Sequence, residues 1–141
     1  MKSILVDAGP FIALFDKDDK YHIPVVSFLK QFKGQLITTW PVITEVTHLL
    51  GFNIKVQIAF LEWLKREAIT IINLENSHLD RIIELSKKYS DVPMDLADSS
   101  LIVVSEMTNI NEIVTIDSDY YVYKAKNKKT LSNLLTPFIK T

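Results

Sequence analysis

The sequence predicts an α/β fold, a sandwich built on a mainly parallel sheet, and three observations carry that expectation. Short apolar runs of strand length alternate with longer segments whose apolar residues recur with helical period. Gly, Pro, Asn or Asp punctuates the joins, so the elements are separate and closely spaced. No repeat, low-complexity tract or linker interrupts the 141 residues, and one domain over 1–141 is expected.

The first run, 3–6, is a buried strand closed by Asp7-Ala8-Gly9-Pro10. A short helix follows over 11–15, with Pro10 at its first position. Val25, Phe28, Leu29 and Phe32 keep the helical period, so 23–32 is a helix with Pro24 in its first turn and Gly34 beyond its end. Residues 36–39 form the second strand. Pro41 opens a helix through Leu50 that Gly51 stops; Val42, Val46, Leu49 and Leu50 share its inner face, and Glu45 lies within it. A further helix covers 55–67 around Phe60, Leu61, Trp63 and Leu64, and the β-branched run 69–72 is the third strand.

Asn76 or Ser77 caps a helix carrying Leu79, Ile82, Ile83 and Leu85 that ends near Tyr89. After the loop 90–93 a helix covers 94–106, with Ala97, Leu101 and Val104 at i, i+4 and i+7. Residues 112–116 are a strand closed by Asp117-Ser118-Asp119. Residues 120–124 alternate weakly as an edge strand, and the proline-broken stretch 131–139 is apolar enough to pack.

Composition narrows the function. A hydrophobic content of 48% in a chain of this length suits one compact core. No apolar run reaches membrane-spanning length, and Asp7 interrupts the apolar start before any small-residue cleavage site, so a cytoplasmic protein is expected. The absence of cysteine excludes a disulfide framework and any thiolate ligand or nucleophile. A metal would therefore be held by oxygen or imidazole. With 16 basic and 17 acidic residues there is no broad basic field, although Lys124, Lys126, Lys128 and Lys129 form a local cluster that suits either RNA phosphates or a solvated hairpin. His22, His48 and His78 are scattered and read as ordinary helix or loop histidines, and Trp40 and Trp63 as packing residues.

The acids are the informative residues. Asp95 and Asp98, three apart at the start of an otherwise apolar helix, have the spacing of an N-cap and its N3 partner, and the helix dipole favours both. Taken alone they are caps. Asp7 and Asp117, however, stand at the ends of two strands, where open α/β sheets gather functional groups. Glu45 and Asp98 follow connections that return near the same edge. Four carboxylates from separate segments share a small volume only when cations neutralise them, and oxygen-only ligation suits Mg²⁺ or Mn²⁺. On that ground Asp98 is read as a ligand and Asp95 as a cap.

Four segments then resemble the ordered motifs of PIN domains: Ile4-Leu5-Val6-Asp7, Ile43-Thr44-Glu45-Val46, Leu96-Ala97-Asp98-Ser99 and Thr115-Ile116-Asp117-Ser118-Asp119-Tyr120. The resemblance spans nearly the whole chain and implies a PIN-like three-layer α/β/α sandwich. It further implies a Mg²⁺- or Mn²⁺-dependent ribonuclease, of the kind that serves as the toxin of a toxin–antitoxin pair. By position, Asp7, Glu45, Asp98 and Asp117 match the family's acidic quartet as catalytic and metal-binding residues, and Asp119 an additional metal-site acid. Asp95 fits a pattern found in part of the family. RNA as substrate, a small antitoxin protein as partner and a homodimer complete the expectation. One departure stands out: many members carry a Ser or Thr directly after the first aspartate, where this chain has Ala8-Gly9.

Three other readings compete. An aspartate-nucleophile phosphatase would use Asp7 but needs a second acid two residues on, where Gly9 stands. A receiver domain needs a phosphoacceptor aspartate after the third strand, which Ile72-Asn73-Leu74 lacks. A non-catalytic PIN scaffold that binds RNA or protein would have no use for an intact acidic quartet.

Overall fold

The computed structural model describes residues 2–139, apart from the side chains of Glu67 and Ala68; residues 1, 140 and 141 of the expected span lie outside the described residues. Five strands make one parallel sheet in the order β3-β2-β1-β4-β5: β1 (Ser3–Val6), β2 (Gln35–Thr38), β3 (Ile69–Ile71), β4 (Glu112–Val114) and β5 (Ser132–Asn133). The connections carry helices α1 (Ala8–Phe15), α2 (His22–Gln31), α3 (Trp40–Leu49), α4 (Ile54–Trp63), α5 (Leu79–Lys88) and α6 (Leu96–Thr108), and α7 (Thr136–Ile139) follows β5. Parallel strands need such crossovers, and right-handed crossovers running outward in both directions cover both faces of the sheet. The result is the three-layer α/β/α sandwich.

β1 is central because its residues have no polar face to turn to water. Ile4, Leu5 and Val6 are all buried, as a strand covered on both sides requires. It pairs with β2 through Ile4↔Leu36 and with β4 through Val6↔Val114. From β1 the chain moves outward to β2 and β3, then returns to β4 on the other side. The strand order therefore reverses between β1 and β4, and the crevice at their carboxyl ends is the place such sheets leave open for a ligand. Gly34 is needed at the opposite, amino end of the sheet: a Cβ there would collide with the Lys2 carbonyl, which accepts the Gln35 N–H at 2.8 Å as β2 starts.

Several boundaries differ from expectation. α1 begins at Ala8 rather than at residue 11, with Asp7 as its N-cap, so Pro10 is the third helical residue. Its missing N–H belongs to the set that a first turn leaves unpaired in any case. α6 begins at Leu96, capped by Asp95, and stops where Asn109 turns left-handed at φ 59°. α4 widens into a π-turn over Leu64–Ala68 before β3.

The expected edge strand over 120–124 is absent. Ser118–Tyr121 is a 3-10 turn, and the alternation of tyrosines reflects burial of Tyr120 and Tyr123, three residues apart on one side of the turn. The true edge is β5, within the stretch expected only to pack. β4 itself ends at Val114, and the Asn133 side chain then takes over its pairing: Asn133 Nδ2 donates to Thr115 O at 2.9 Å and Oδ1 accepts from Thr115 N at 3.2 Å.

Trp63 packs as expected, its ring against Phe11 and Phe15. On the α5–α6 side, Arg81 makes a fork to Glu106, Nε to Oε1 at 2.9 Å and Nη2 to Oε2 at 2.7 Å, and Glu106 also accepts the Lys126 N–H at 2.8 Å. The pair is largely shielded, with side-chain exposures of 15% and 10%. Glu106→Ala leaves the guanidinium without its main partner, and a loss of about 2 kcal/mol is expected, less than for a fully buried pair because Arg81 keeps Glu84 as a partner. Thermal denaturation should show this as a midpoint roughly 6–8 °C lower; an unchanged midpoint would show that the clamp contributes nothing.

Candidate active site

Asp7 stands where β1 gives way to α1. Its backbone N–H still donates to Val114 O at 3.1 Å, continuing the β1–β4 ladder by one step. The next residue on the β4 side, Thr115, is buried and reaches across: its hydroxyl donates to Asp7 Oδ2 at 2.9 Å and accepts the Asp117 N–H at 3.0 Å. One hydroxyl thereby sets the rotamer of the first aspartate and the backbone of the third.

Asp98 arrives from the first turn of α6. Asp98 N donates to Asp95 Oδ1 at 2.9 Å and Asp95 N to Asp98 Oδ2 at 3.2 Å, the reciprocal capping box that the three-residue spacing predicts. Capping does not remove Asp98 from the cleft. Its carboxylate also accepts from Tyr120 Oη at 3.2 Å and Tyr123 Oη at 3.5 Å. The helix is seated by buried hydroxyls, Thr39 Oγ1 and Ser100 Oγ lying 2.7 Å apart, while Thr38 Oγ1 donates to Val6 O at 2.9 Å.

These arrangements bring Asp7, Asp98 and Asp117 together, with one carboxylate oxygen from each within 4.8 Å of the others. Such a group could hold a metal ion. Glu45, on α3, and Asp119, in the 3-10 turn, line the same cleft but stand outside that group of three. Asp95 lines it too, so the cleft wall carries six acids, Asp7, Glu45, Asp95, Asp98, Asp117 and Asp119, with no Lys or Arg among the described lining residues.

The electrostatic consequence is large. Burial drives the Asp7 carboxyl up to about 7, against the opposing pull of the Ala8 N–H and the Thr115 hydroxyl, with repulsion from Glu45 and Asp117 adding to the rise. Burial likewise raises Asp98 to about 8, and repulsion from Asp95 and Asp7 comes next. Glu45 is raised for the same first reason, then by Asp95 and Asp117. Tyr120 is pushed well above its usual range by burial and by the acids around it, so its hydroxyl keeps its proton and donates.

Thr115, Tyr120 and Tyr123 were not singled out from the sequence. This chain has no hydroxyl directly after Asp7; the hydroxyl that bonds the Asp7 carboxylate is that of Thr115, from the neighbouring strand's end. Its place in the same segment as Asp117 was the available signal. Of the histidines, His22 Nδ1 lies 2.7 Å from Ala13 O and His78 Nδ1 accepts the Glu75 N–H at 2.9 Å, both local tethers. His48 is exposed on α3. Trp40 does not pack as expected: it is 54% exposed, because it begins α3 on the solvent side, where Val42 and Ile43 take the core.

Fold and site together define an α/β protein with an acidic centre at the switch point of a parallel sheet. The PIN domain family profile matches residues 4–126, and the chain belongs to that family. Among solved structures it is similar to the sarcin–ricin-loop-cleaving toxin VapC20 of Mycobacterium tuberculosis, with a TM-score of 0.77 at 15% identity over 84% of this chain and 93% of that one. No curated protein sequence matches this one.

The raised carboxyls make the metal-free protein pH-sensitive in a defined direction. Between the ordinary carboxyl range and pH 8 the folded state holds protons that the unfolded state has already released, so stability falls as pH rises. Thermal midpoints in EDTA should therefore drop from pH 5 to pH 8, and Asp98→Asn should flatten the slope and melt several degrees above wild type near pH 8. A wild-type midpoint that rises over that interval would contradict the clustering.

Proposed function

We propose that this protein is a divalent-metal-dependent ribonuclease that hydrolyses RNA phosphodiester bonds and serves as the toxin of a toxin–antitoxin pair, the whole chain forming one PIN domain. The observation that carries the reading is the convergence of Asp7, Asp98 and Asp117 from three separate elements to within 4.8 Å, in a cleft without a cationic side chain among its described lining residues. Three carboxylates with no thiolate or imidazole form a donor set for a hard cation, Mg²⁺ or Mn²⁺. When bound there, such an ion supplies Lewis acidity, making water a better nucleophile at neutral pH and taking up charge on phosphate oxygens.

The chain's own residues hold that arrangement in place. Thr115 holds Asp7 Oδ2, and Tyr120 and Tyr123 hold Asp98, so the ligand oxygens are positioned before anything binds. Glu45, on the other wall, completes the shell or positions the attacking water, and Asp119 adds negative charge at the rim. Hydrolysis joins the water oxygen to phosphorus and breaks one P–O ester bond, leaving a phosphate monoester and a free hydroxyl. The water's protons go to the departing oxygen and to solvent.

The VapC20 likeness supports the toxin role. The proposal extends to a small antitoxin protein covering the acidic cleft, action in the cytoplasm and assembly as a homodimer. None of the described helices is long and apolar enough to cross a membrane.

The test is cleavage of generic single-stranded RNA with Mg²⁺ or Mn²⁺ against EDTA. Wild type should cut only with metal. Asp98→Asn should lose at least about a hundredfold in rate with unchanged far-UV circular dichroism, the scale of removing a principal electrostatic contact to a transition state. Full activity in that variant would return Asp98 to a purely capping role.

A further inference from the structure

A second groove runs beside the acidic cleft, and Glu45 and Asp95 belong to the walls of both. Its other face is made by Trp40, Pro41, His48 and Leu96. Trp40 and Leu96 are 54% and 55% exposed and so present apolar surface to the groove. The backbone beneath the indole is tightly held. Thr39, one residue before, is buried and bonded through its hydroxyl to Ser100, Pro41 follows directly, and Thr44 Oγ1 donates to Trp40 O at 3.0 Å. Trp40 thus presents an aromatic face from a fixed point at the start of α3.

The lining chemistry selects the ligand. The groove has no Lys or Arg among its described lining residues, so it offers no permanent positive charge to a phosphate. It offers a flat apolar face flanked by carboxylates, which suits an uncharged planar group carrying amino donors. A nucleobase has that character, and every base has a π-face to stack on an aromatic side chain. Because the two walls are shared, an RNA strand with a phosphate at the three aspartates leads its neighbouring nucleotide into this groove.

We propose that Trp40 is the stacking platform for an unpaired nucleobase of the RNA next to the scissile phosphate, with Leu96 packing beside it and the Glu45 and Asp95 carboxylates accepting from base amino groups. The proposal rests on the ribonuclease reading for the identity of the substrate. It also commits the substrate to being single-stranded at that point, since a base within a duplex has no free face.

The experiment mixes a short oligoadenylate with the wild-type protein and Mg²⁺ in a stopped-flow instrument and reads indole fluorescence before the RNA is turned over. Trp63, enclosed by Phe11, Phe15 and Phe60, provides a constant background. Quenching is expected with oligoadenylate and not with a duplex, and it should vanish in Trp40→Phe while affinity is largely kept. Trp40→Ala should weaken RNA binding about tenfold or more and, with Asp98 intact, raise KM for cleavage more than it lowers kcat. Unchanged RNA affinity in Trp40→Ala, or equal quenching by duplex, overturns the proposal and assigns the groove to a protein partner. Absence of RNA cleavage by wild type in Mg²⁺ or Mn²⁺ would instead overturn the ribonuclease reading, and the quenching would still decide whether Trp40 stacks a base.

Discussion

The pairing of β1 with β4 is the constraint on which the rest depends. Leu5↔Ile113 and Val6↔Val114 fix the register, and the Asp7 N–H bonded to Val114 O carries it to the first residue beyond the strand. A slip of one residue would turn Thr115 away from Asp7. In the observed register its hydroxyl bridges Asp7 Oδ2 and the Asp117 N–H, so two chain segments far apart in sequence become one rigid corner. Asn133 reinforces that corner by continuing the ladder with its side-chain amide.

Into this corner α6 delivers a third negative charge. Two carboxylates within 4.8 Å repel by about 3 kcal/mol at an effective dielectric near 20, and partial protonation lowers the realised cost. Fixed contacts elsewhere in the fold oppose that repulsion. The Thr39–Ser100 hydroxyl contact seats the helix's first turns, its inner residues Leu101, Ile102 and Val104 are fully buried, and the Arg81–Glu106 fork anchors its far half to α5. Repulsion is concentrated where a cation would relieve it, and the surrounding packing holds the acids in place.

Much of this was legible in the sequence because it depends on local pattern. The apolar run ending at Asp7 and the helical period after Pro93 each have one simple reading, and the structure bears out the parallel α/β sheet. The three-residue spacing of Asp95 and Asp98 had two, cap and site; Asp95 is the cap as expected, and Asp98 closes the capping box while also facing the cleft. Of the four acids expected to converge, Asp7 and Asp117 followed from the strand-end rule and Asp98 from the connection that returns to the same edge, while Glu45 lines the cleft outside the group of three. What was not legible depends on tertiary partners. Tyr120 and Tyr123 look like an alternating strand until Asp98 supplies a reason for both to turn inward. β5 is two residues long and is held by Asn133, a side-chain device without a periodic signature. Trp40 was expected to pack because large aromatics usually do; only the placement of α3 shows that its face is left to solvent.

The central claim is that Asp7, Asp98 and Asp117 form one cation site whose ordinary occupant without metal is the proton. Isothermal titration of Mn²⁺ near pH 7 in two buffers of different ionisation enthalpy measures this directly, because an ion that displaces protons from raised carboxyls makes the observed heat depend on the buffer. Saturable binding is expected, with net proton release that is greater at pH 6.5 than at pH 8.5, and it should be lost in both Asp7→Asn and Asp98→Asn. Binding without proton release, or binding that survives both substitutions, would contradict a single shared site.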